Sequence, residues 1–140
     1  MTVAAVVEHE GRFLLVEEHT PEGLRLNNPA GHLEPGESLA KACTRETLEE
    51  AAYTFTPTAL VGVYQARLGD TTYLRFAFCG TLGDFHPERK LDHGIKRTLW
   101  MTPAEIRAST HRHRSPMLLR CVEDYLAGRR FPLDVVYTAP

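Results

Sequence analysis

The sequence predicts one layered domain of the α/β or α+β kind, and three observations predict it. Two pairs of apolar, β-branched runs are each joined by a short Gly-containing turn. Three segments open on a helix-capping residue. Strand and helix signals interleave along the chain. The length agrees, because 140 residues make one domain that hides roughly 68–70% of its unfolded surface, enough for a core without staples. Hydrophobic residues at 43% and charged residues at 24% are ordinary globular values and exclude disorder, collagen and coiled coil. No repeat, low-complexity tract or Gly/Ser linker divides the chain, so residues 1–140 are read as one domain.

Taken in order, Thr2 to Glu8 and Arg12 to Glu17 flank His9-Glu10-Gly11 and read as a first hairpin. This apolar start has no basic lead and no small-residue cleavage site, so it reads as a strand of the mature protein and not a signal peptide. Pro35-Gly36 makes a turn, after which Ser38 caps a helix from Leu39 to Ala51. Thr58 to Ala66 and Thr71 to Leu82 flank Gly69-Asp70 and form a second hairpin. Leu74, Phe76 and Phe78 alternate there with Tyr73, Arg75 and Ala77, giving one greasy and one mixed face, and the mixed face is the one suited to a ligand. Ile95 to Met101 is an apolar strand with Trp100 in the core. Thr102-Pro103-Ala104-Glu105 opens a short helix with a capping box, and Ser115-Pro116 opens a last helix that runs to Ala127 and stops at Gly128.

Charge and cysteine usage narrow the function classes. The 16 basic and 18 acidic residues leave a net charge of −2, which argues against a large nucleic acid or an anionic membrane as partner. No stretch approaches the roughly 18 apolar residues that would span a bilayer. A cytoplasmic, monomeric protein is the expectation. Cys43, Cys79 and Cys121 are odd in number and lack paired metal-ligand spacing, so they read as small buried residues.

The chemistry lies in Gly31 to Tyr53, GHLEPGESLAKACTRETLEEAAY, where a turn-rich acidic loop feeds a helix with clustered carboxylates. At about 100° per residue, Glu46, Glu49 and Glu50 project within an arc of roughly 100°. Arg45 stands one turn before Glu49 and can orient a carboxylate through its planar fork. Read alone, the run fits a solvated helix face, where like charges cost only about 0.2–0.5 kcal/mol per pair. In a cleft of effective dielectric near 20, two carboxylates about 4 Å apart repel by roughly 4 kcal/mol, and the site would protonate or recruit a cation. Mg2+, or Mn2+ in its place, suits such oxygen donors. The chain has no Gly-rich phosphate loop ending in Lys-Ser/Thr, so phosphates would be held by cations and scattered basic side chains.

Gly31, Glu37, Arg45, Glu46, Glu49 and Glu50 match the Nudix box in spacing, and the stretch is identified as a member of that family's pattern. Thr47 and Tyr53 stand where that pattern has aliphatic residues, and Ala52 where it has Gly. The resemblance implies a Nudix-type α/β/α sandwich with a mixed β-sheet. It implies one to three divalent cations held by Glu46, Glu50, Glu49 and the Gly31 carbonyl, and cleavage of a diphosphate linked to another group. In-line attack of a cation-activated water on phosphorus is the mechanism expected on physical grounds. Glu46 is alternatively the general base, and Arg45 is the orienter, bridging to Glu46 or back to Glu37.

Outside the box, LRLNNPAGHLE, YLRFAFCGTL and RSPMLLRCVEDYLAGRRFPLDVV are similar to the NudJ-type phosphatases of that family. That likeness implies a small-molecule phosphoanhydride substrate: nucleoside tri- and diphosphates, thiamine pyrophosphate, or its hydroxymethylpyrimidine pyrophosphate precursor. A dinucleotide pyrophosphohydrolase acting on ADP-ribose or NADH is the rival enzyme. A non-catalytic nucleotide sensor is the rival from another class, against which the intact glutamate set argues.

Substrate contacts are expected from Arg75 as a phosphate clamp, from Tyr73 and Tyr64 as stacking rings, and from Glu34 as support for a bound water. Each has an ordinary alternative: an ion pair for Arg75, core packing for the tyrosines. His111-Arg112-His113-Arg114 is the most basic patch, before a helix N-terminus, and reads either as phosphate contact or as a solvated cap. Asp92 lies where a further acidic ligand is expected from the resemblance, whereas His93 reads as an exposed loop residue.

Overall fold

A computed structural model describes residues 1–140. The elements are β1 (Thr2–Ala5), β2 (Glu8–His9), β3 (Arg12–Thr20), β4 (Gly23–Asn27), β5 (Ala30–His32), α1 (Leu39–Ala51), β6 (Tyr53–Leu68), β7 (Thr71–Phe85), β8 (Ile95–Met101), α2 (Pro103–Ala108) and α3 (Met117–Leu126). One sheet has the order β5-β1-β7-β6, with β1 parallel to β7 and the other pairs antiparallel. In the second sheet β3 pairs antiparallel with β2, β4 and β8.

The strands read as near-continuous apolar runs because both of their faces are covered. Val3, Ala5, Leu14, Val16 and Phe78 pack with Ala42, Cys43 and Ala51 of α1. Their strand neighbours Ala4, Phe13, Leu15, Ala77 and Cys79 pack with Ile106 of α2 and with Leu118, Cys121 and Val122 of α3. This strict alternation puts α1 on one side and α2 with α3 on the other, the α/β/α sandwich expected. All three cysteines are buried and free. Trp100 is partly buried against the α1-side core, edge-on to Tyr53.

The first hairpin needs correction. Only Glu8-His9 turns back on Arg12-Phe13, while Thr2–Ala5 leaves for the other sheet, between β5 and β7. The local turn signal was real, with Glu10 and Gly11 both at positive φ. The parallel pairing of β1 with β7 joins residues far apart in sequence and has no local signature. The second hairpin holds and is longer than the run of β-formers suggested, because bulges absorb Pro57 and Gly62 within β6.

Helix signals translate closely. Ser38 Oγ accepts from the Lys41 amide at the start of α1, and Thr102 and Glu105 complete a reciprocal capping box on α2. Ser115 Oγ accepts from the Met117 amide, so α3 begins one turn-residue later than the Ser-Pro pair. After α3, Phe131 exchanges two backbone hydrogen bonds of 2.8 Å with Leu60, tying the C-terminal residues to β6. No helix is long and apolar enough to cross a membrane.

Candidate active site

β5, the turn after it and α1 build one corner of the molecule. The turn closes through the Glu37 amide on the Glu34 carbonyl, with Gly36 at φ 80°, and Glu37 Oε1 accepts from the Glu34 amide. Arg45, on α1, then clasps Glu37 through Nε and Nη2 at 2.8 and 2.7 Å. Its Nη1 reaches Glu46 at 2.8 Å and Glu49 at 3.1 Å, and Nη2 also donates to the His32 carbonyl. One guanidinium thus locks loop, strand and helix together. Arg45 bridges to both Glu46 and Glu37, the two alternatives left open above. Its hydrogen bonds hold the Glu37 carboxyl down at about 2, against a smaller upward push from burial.

Glu46, Glu50 and Asp92 each offer a carboxylate oxygen within 4.8 Å of one another. Asp92 joins the two helix residues because its amide donates to the Glu49 carbonyl, hooking the β7–β8 loop onto α1. Glu49 stands outside this trio, with its carboxylate 29% exposed and held by Arg45. Burial pushes the Glu50 carboxyl up to about 8; the Ala30 amide, donating at 3.0 Å, opposes this, and Glu18, Glu46 and Asp92 add to it. Burial also raises Glu46, with Arg45 opposing and Glu49 and Asp92 reinforcing. Acids crowded in this way are stabilised by a cation.

The residues fit a hard divalent ion. The donor set is oxygen only, and Gly31 gives the Glu46 carboxylate its room: a Cβ built on Gly31 would fall well inside contact distance of the Glu46 carboxyl carbon and both its oxygens. Thr47 is fully buried with its hydroxyl bonded to the Cys43 carbonyl, which explains how a polar residue sits where an aliphatic one was expected. Ala52 adopts the left-handed conformation, φ 60°, as the C-cap of α1.

A cleft of about 420 Å³ opens beside the acids, the size of a small-molecule site. Glu46, Glu50 and Gly31 line one part of it, Glu34 and Tyr73 are on its wall, and Leu68 and Met117 supply apolar surface. Arg75 also borders the cleft but is 3% exposed, and its Nη1 and Nη2 are committed to the Oδ1 atoms of Asn28 and Asn27 at 2.7 and 2.9 Å. It braces the wall where a free clamp was expected. Tyr64 points elsewhere: its hydroxyl donates to Asp124 Oδ2 on α3 at 2.8 Å. The basic patch resolves into ion pairs, Arg112 with Glu17 and Arg114 with Glu18, and Arg114 borders the cleft.

Sequence reasoning passed over Glu17, Glu18 and Asn27. The signal was present, because two consecutive acids on a strand flanked by apolar residues cannot both face water. Both are buried. Burial pushes Glu17 up, but hydrogen bonds from Arg97 and Arg112 more than offset it and leave it lowered.

A model of the NUDIX domain matches residues 1–121. The chain belongs to the Nudix family. Among Nudix relatives, Phosphatase NudJ of Escherichia coli strain K12 is 36% identical over 137 residues, covering 97% of this chain and 89% of that protein. A NUDIX hydrolase structure from Nitrosomonas europaea superposes with a TM-score of 0.94 at 51% identity, covering 99% of this chain and 95% of that one. A second Nudix hydrolase from the same organism shares the fold at a TM-score of 0.75 and 23% identity, over 91% and 70% of the two chains. Family and site together make this chain a Nudix hydrolase acting on phosphoanhydride bonds.

Proposed function

We infer that this Nudix hydrolase is a divalent-cation-dependent phosphatase that releases phosphate from nucleoside tri- and diphosphates, and from thiamine pyrophosphate or its hydroxymethylpyrimidine pyrophosphate precursor. The observation that carries the reading is the convergence of Glu46, Glu50 and Asp92, the first two of which line a ligand-sized cleft. Likeness to Phosphatase NudJ over nearly the whole chain supports the choice of phosphate release.

Glu46, Glu50 and Asp92, with the Gly31 carbonyl, would hold Mg2+ or Mn2+. A bound ion of this kind supplies positive charge to phosphate oxygens and acidifies water. The chain's own groups do the rest. Arg45 keeps Glu46 and Glu49 in one orientation, Glu37 keeps Arg45 in place, and the Ala30 amide fixes Glu50. A water attacks phosphorus in line, and Glu46 accepts its proton. Tyr73 and Glu34 border the substrate. Residues 1–140 act as one monomeric unit. Three buried thiols accord with a reducing, cytoplasmic setting.

The test is a product assay with Mg2+, Mn2+ or chelator on nucleoside tri- and diphosphates, thiamine pyrophosphate, ADP-ribose and NADH. Inorganic phosphate from the first three, lost on chelation, is the expected result. Nucleoside monophosphate from ADP-ribose or NADH alone would replace it with the dinucleotide reading, and tight nucleotide binding without turnover with a sensor.

A further inference from the structure

Besides Glu46 and Glu50, the cleft is lined by a polar pair outside the acid trio, Glu18 and Asn27. Asn27 Oδ1 is held twice, by Arg75 Nη2 at 2.9 Å and by the Asn28 amide at 2.9 Å. The carboxamide is thereby fixed with its oxygen turned to Arg75 and its NH2 toward Glu18. Asn27 Nδ2 approaches Glu18 Oε1 at 3.4 Å, and Arg114 Nη1 reaches the same oxygen at 3.0 Å. Glu18 Oε2 has no hydrogen-bond or ion-pair partner, and the second Nδ2 proton of Asn27 has none either. Both residues border the cleft. A β8 bulge at this point, with Glu17 opposite Arg97 and Glu18 opposite Ile95, sets the aim of Glu18.

A carboxylate already neutralised by an arginine and braced by an amide is a poor ligand for a further divalent ion and a good fixed acceptor. Beside it stands a fixed donor. We propose that Glu18 and Asn27 determine specificity by reading the amidine edge of the substrate's ring, an amino group beside an unprotonated ring nitrogen, as in cytosine, adenine or a 4-aminopyrimidine. The amino group donates to Glu18 Oε2, and the ring nitrogen accepts from Asn27 Nδ2. Leu68, Tyr73 and Met117 give the ring its apolar surface. Arg75 acts through Asn27 as a positioning residue, since without it only the Asn28 amide holds the carboxamide oxygen in this orientation. Phosphates anchored at the acid trio fix the register, so uracil in the same pose presents both groups reversed and leaves Glu18 and Asn27 unpaired.

This inference rests on the phosphatase reading, and the experiment separates the two. CTP and UTP are supplied together at equal concentration with Mg2+, and CDP and UDP are quantified over time. The competing ratio is independent of how much enzyme is active. Wild-type enzyme is expected to favour CTP by at least about tenfold. Glu18→Gln and, separately, Asn27→Asp bring the ratio towards unity, and Arg75→Met moves it the same way. Equal use of CTP and UTP by wild-type enzyme overturns the proposal and leaves the phosphatase reading standing, as does a preference unchanged in Glu18→Gln and Asn27→Asp. Turnover of neither nucleotide overturns the nucleoside triphosphatase part of that reading. Calorimetric affinities for CMP and UMP then decide the inference, with a CMP preference supporting it and equal or absent binding overturning it.

Discussion

Arg45 Nε and Nη2 lie 2.8 and 2.7 Å from the two carboxylate oxygens of Glu37, a two-point fork that joins the turn before α1 to the middle of that helix. The fork leaves only Nη1 for Glu46 and Glu49. Glu37 therefore sets where Arg45 points, and Arg45 sets where the acids point. A lysine offers no planar fork and cannot serve both ends.

Acid sensitivity follows from this fork. Glu37 is held down from 4.5 to about 2 by its Arg45 hydrogen bonds. A carboxyl lowered in the folded state contributes stability above its unfolded value, and that contribution is lost as pH falls from there through the folded value. The difference in melting temperature between the wild type and Glu37→Gln is expected to be largest near neutral pH and to close between about pH 4.5 and 2. A difference that stays constant across that window would show that Glu37 contributes by packing and not by charge.

Room for the acids depends on one missing methyl. Gly31→Ala would drive a Cβ into the Glu46 carboxylate, and the flexible side chain, more easily moved than β5, would yield. Displacement of a reacting group by about 1 Å costs roughly 100-fold in rate. Gly31→Ala is expected to lose phosphate release on that scale while its circular dichroism spectrum stays that of the wild type. Wild-type turnover would mean that Glu46 works from a second position.

The three glutamates of α1 are not equivalent. Both Glu49 and Glu50 are partly buried, but Glu50 is bonded to the Ala30 amide and belongs to the acid trio, whereas Glu49 is bound to Arg45 outside it. Glu50→Gln removes charge with little change in volume and is expected to lower kcat by at least roughly 100-fold. Glu49→Gln, a change at a group outside the trio, is expected to cost roughly tenfold. Steady-state rates across a Mg2+ titration give both numbers, and a larger loss for Glu49→Gln would move the cation towards the Arg45 side of the helix.

What could be read from the chain tracks how local each signal was. Helix α1, with its Ser38 cap and its acids on one face, is a matter of spacing over a few turns, so its ends and its chemistry were legible. Asp92 entered through the family resemblance, because its tie to the Glu49 carbonyl joins a loop and a helix with no common periodicity. The Arg75–Asn27 and Arg114–Glu18 contacts likewise bring together distant strands and a loop, and neither composition nor alternation marks them. Alternation along β7 did place Arg75 on the cleft side, but the pattern cannot show that two asparagines already occupy its guanidinium. The exchange of β1 into the other sheet was hidden for the same reason, a nearby turn signal outweighing a distant parallel partner.

Tyr64 separates a strut from a ligand contact. Its hydroxyl is bonded to Asp124 Oδ2, and Asp124 is held in turn by Arg120, so the ring links β6 to α3 across the α3-side core. Burial raises the phenol and the bond to Asp124 reinforces the shift, which keeps it a neutral donor. Tyr64→Phe leaves the ring in place and deprives a largely buried carboxylate of one donor, a loss of roughly 1–2 kcal/mol in unfolding free energy by urea denaturation. Phosphate release should stay within about twofold of wild type, since the hydroxyl is bonded to α3 and Tyr64 does not line the cleft beside Glu46 and Glu50. A fall in kcat/KM without loss of stability would instead put the Tyr64 ring against the substrate.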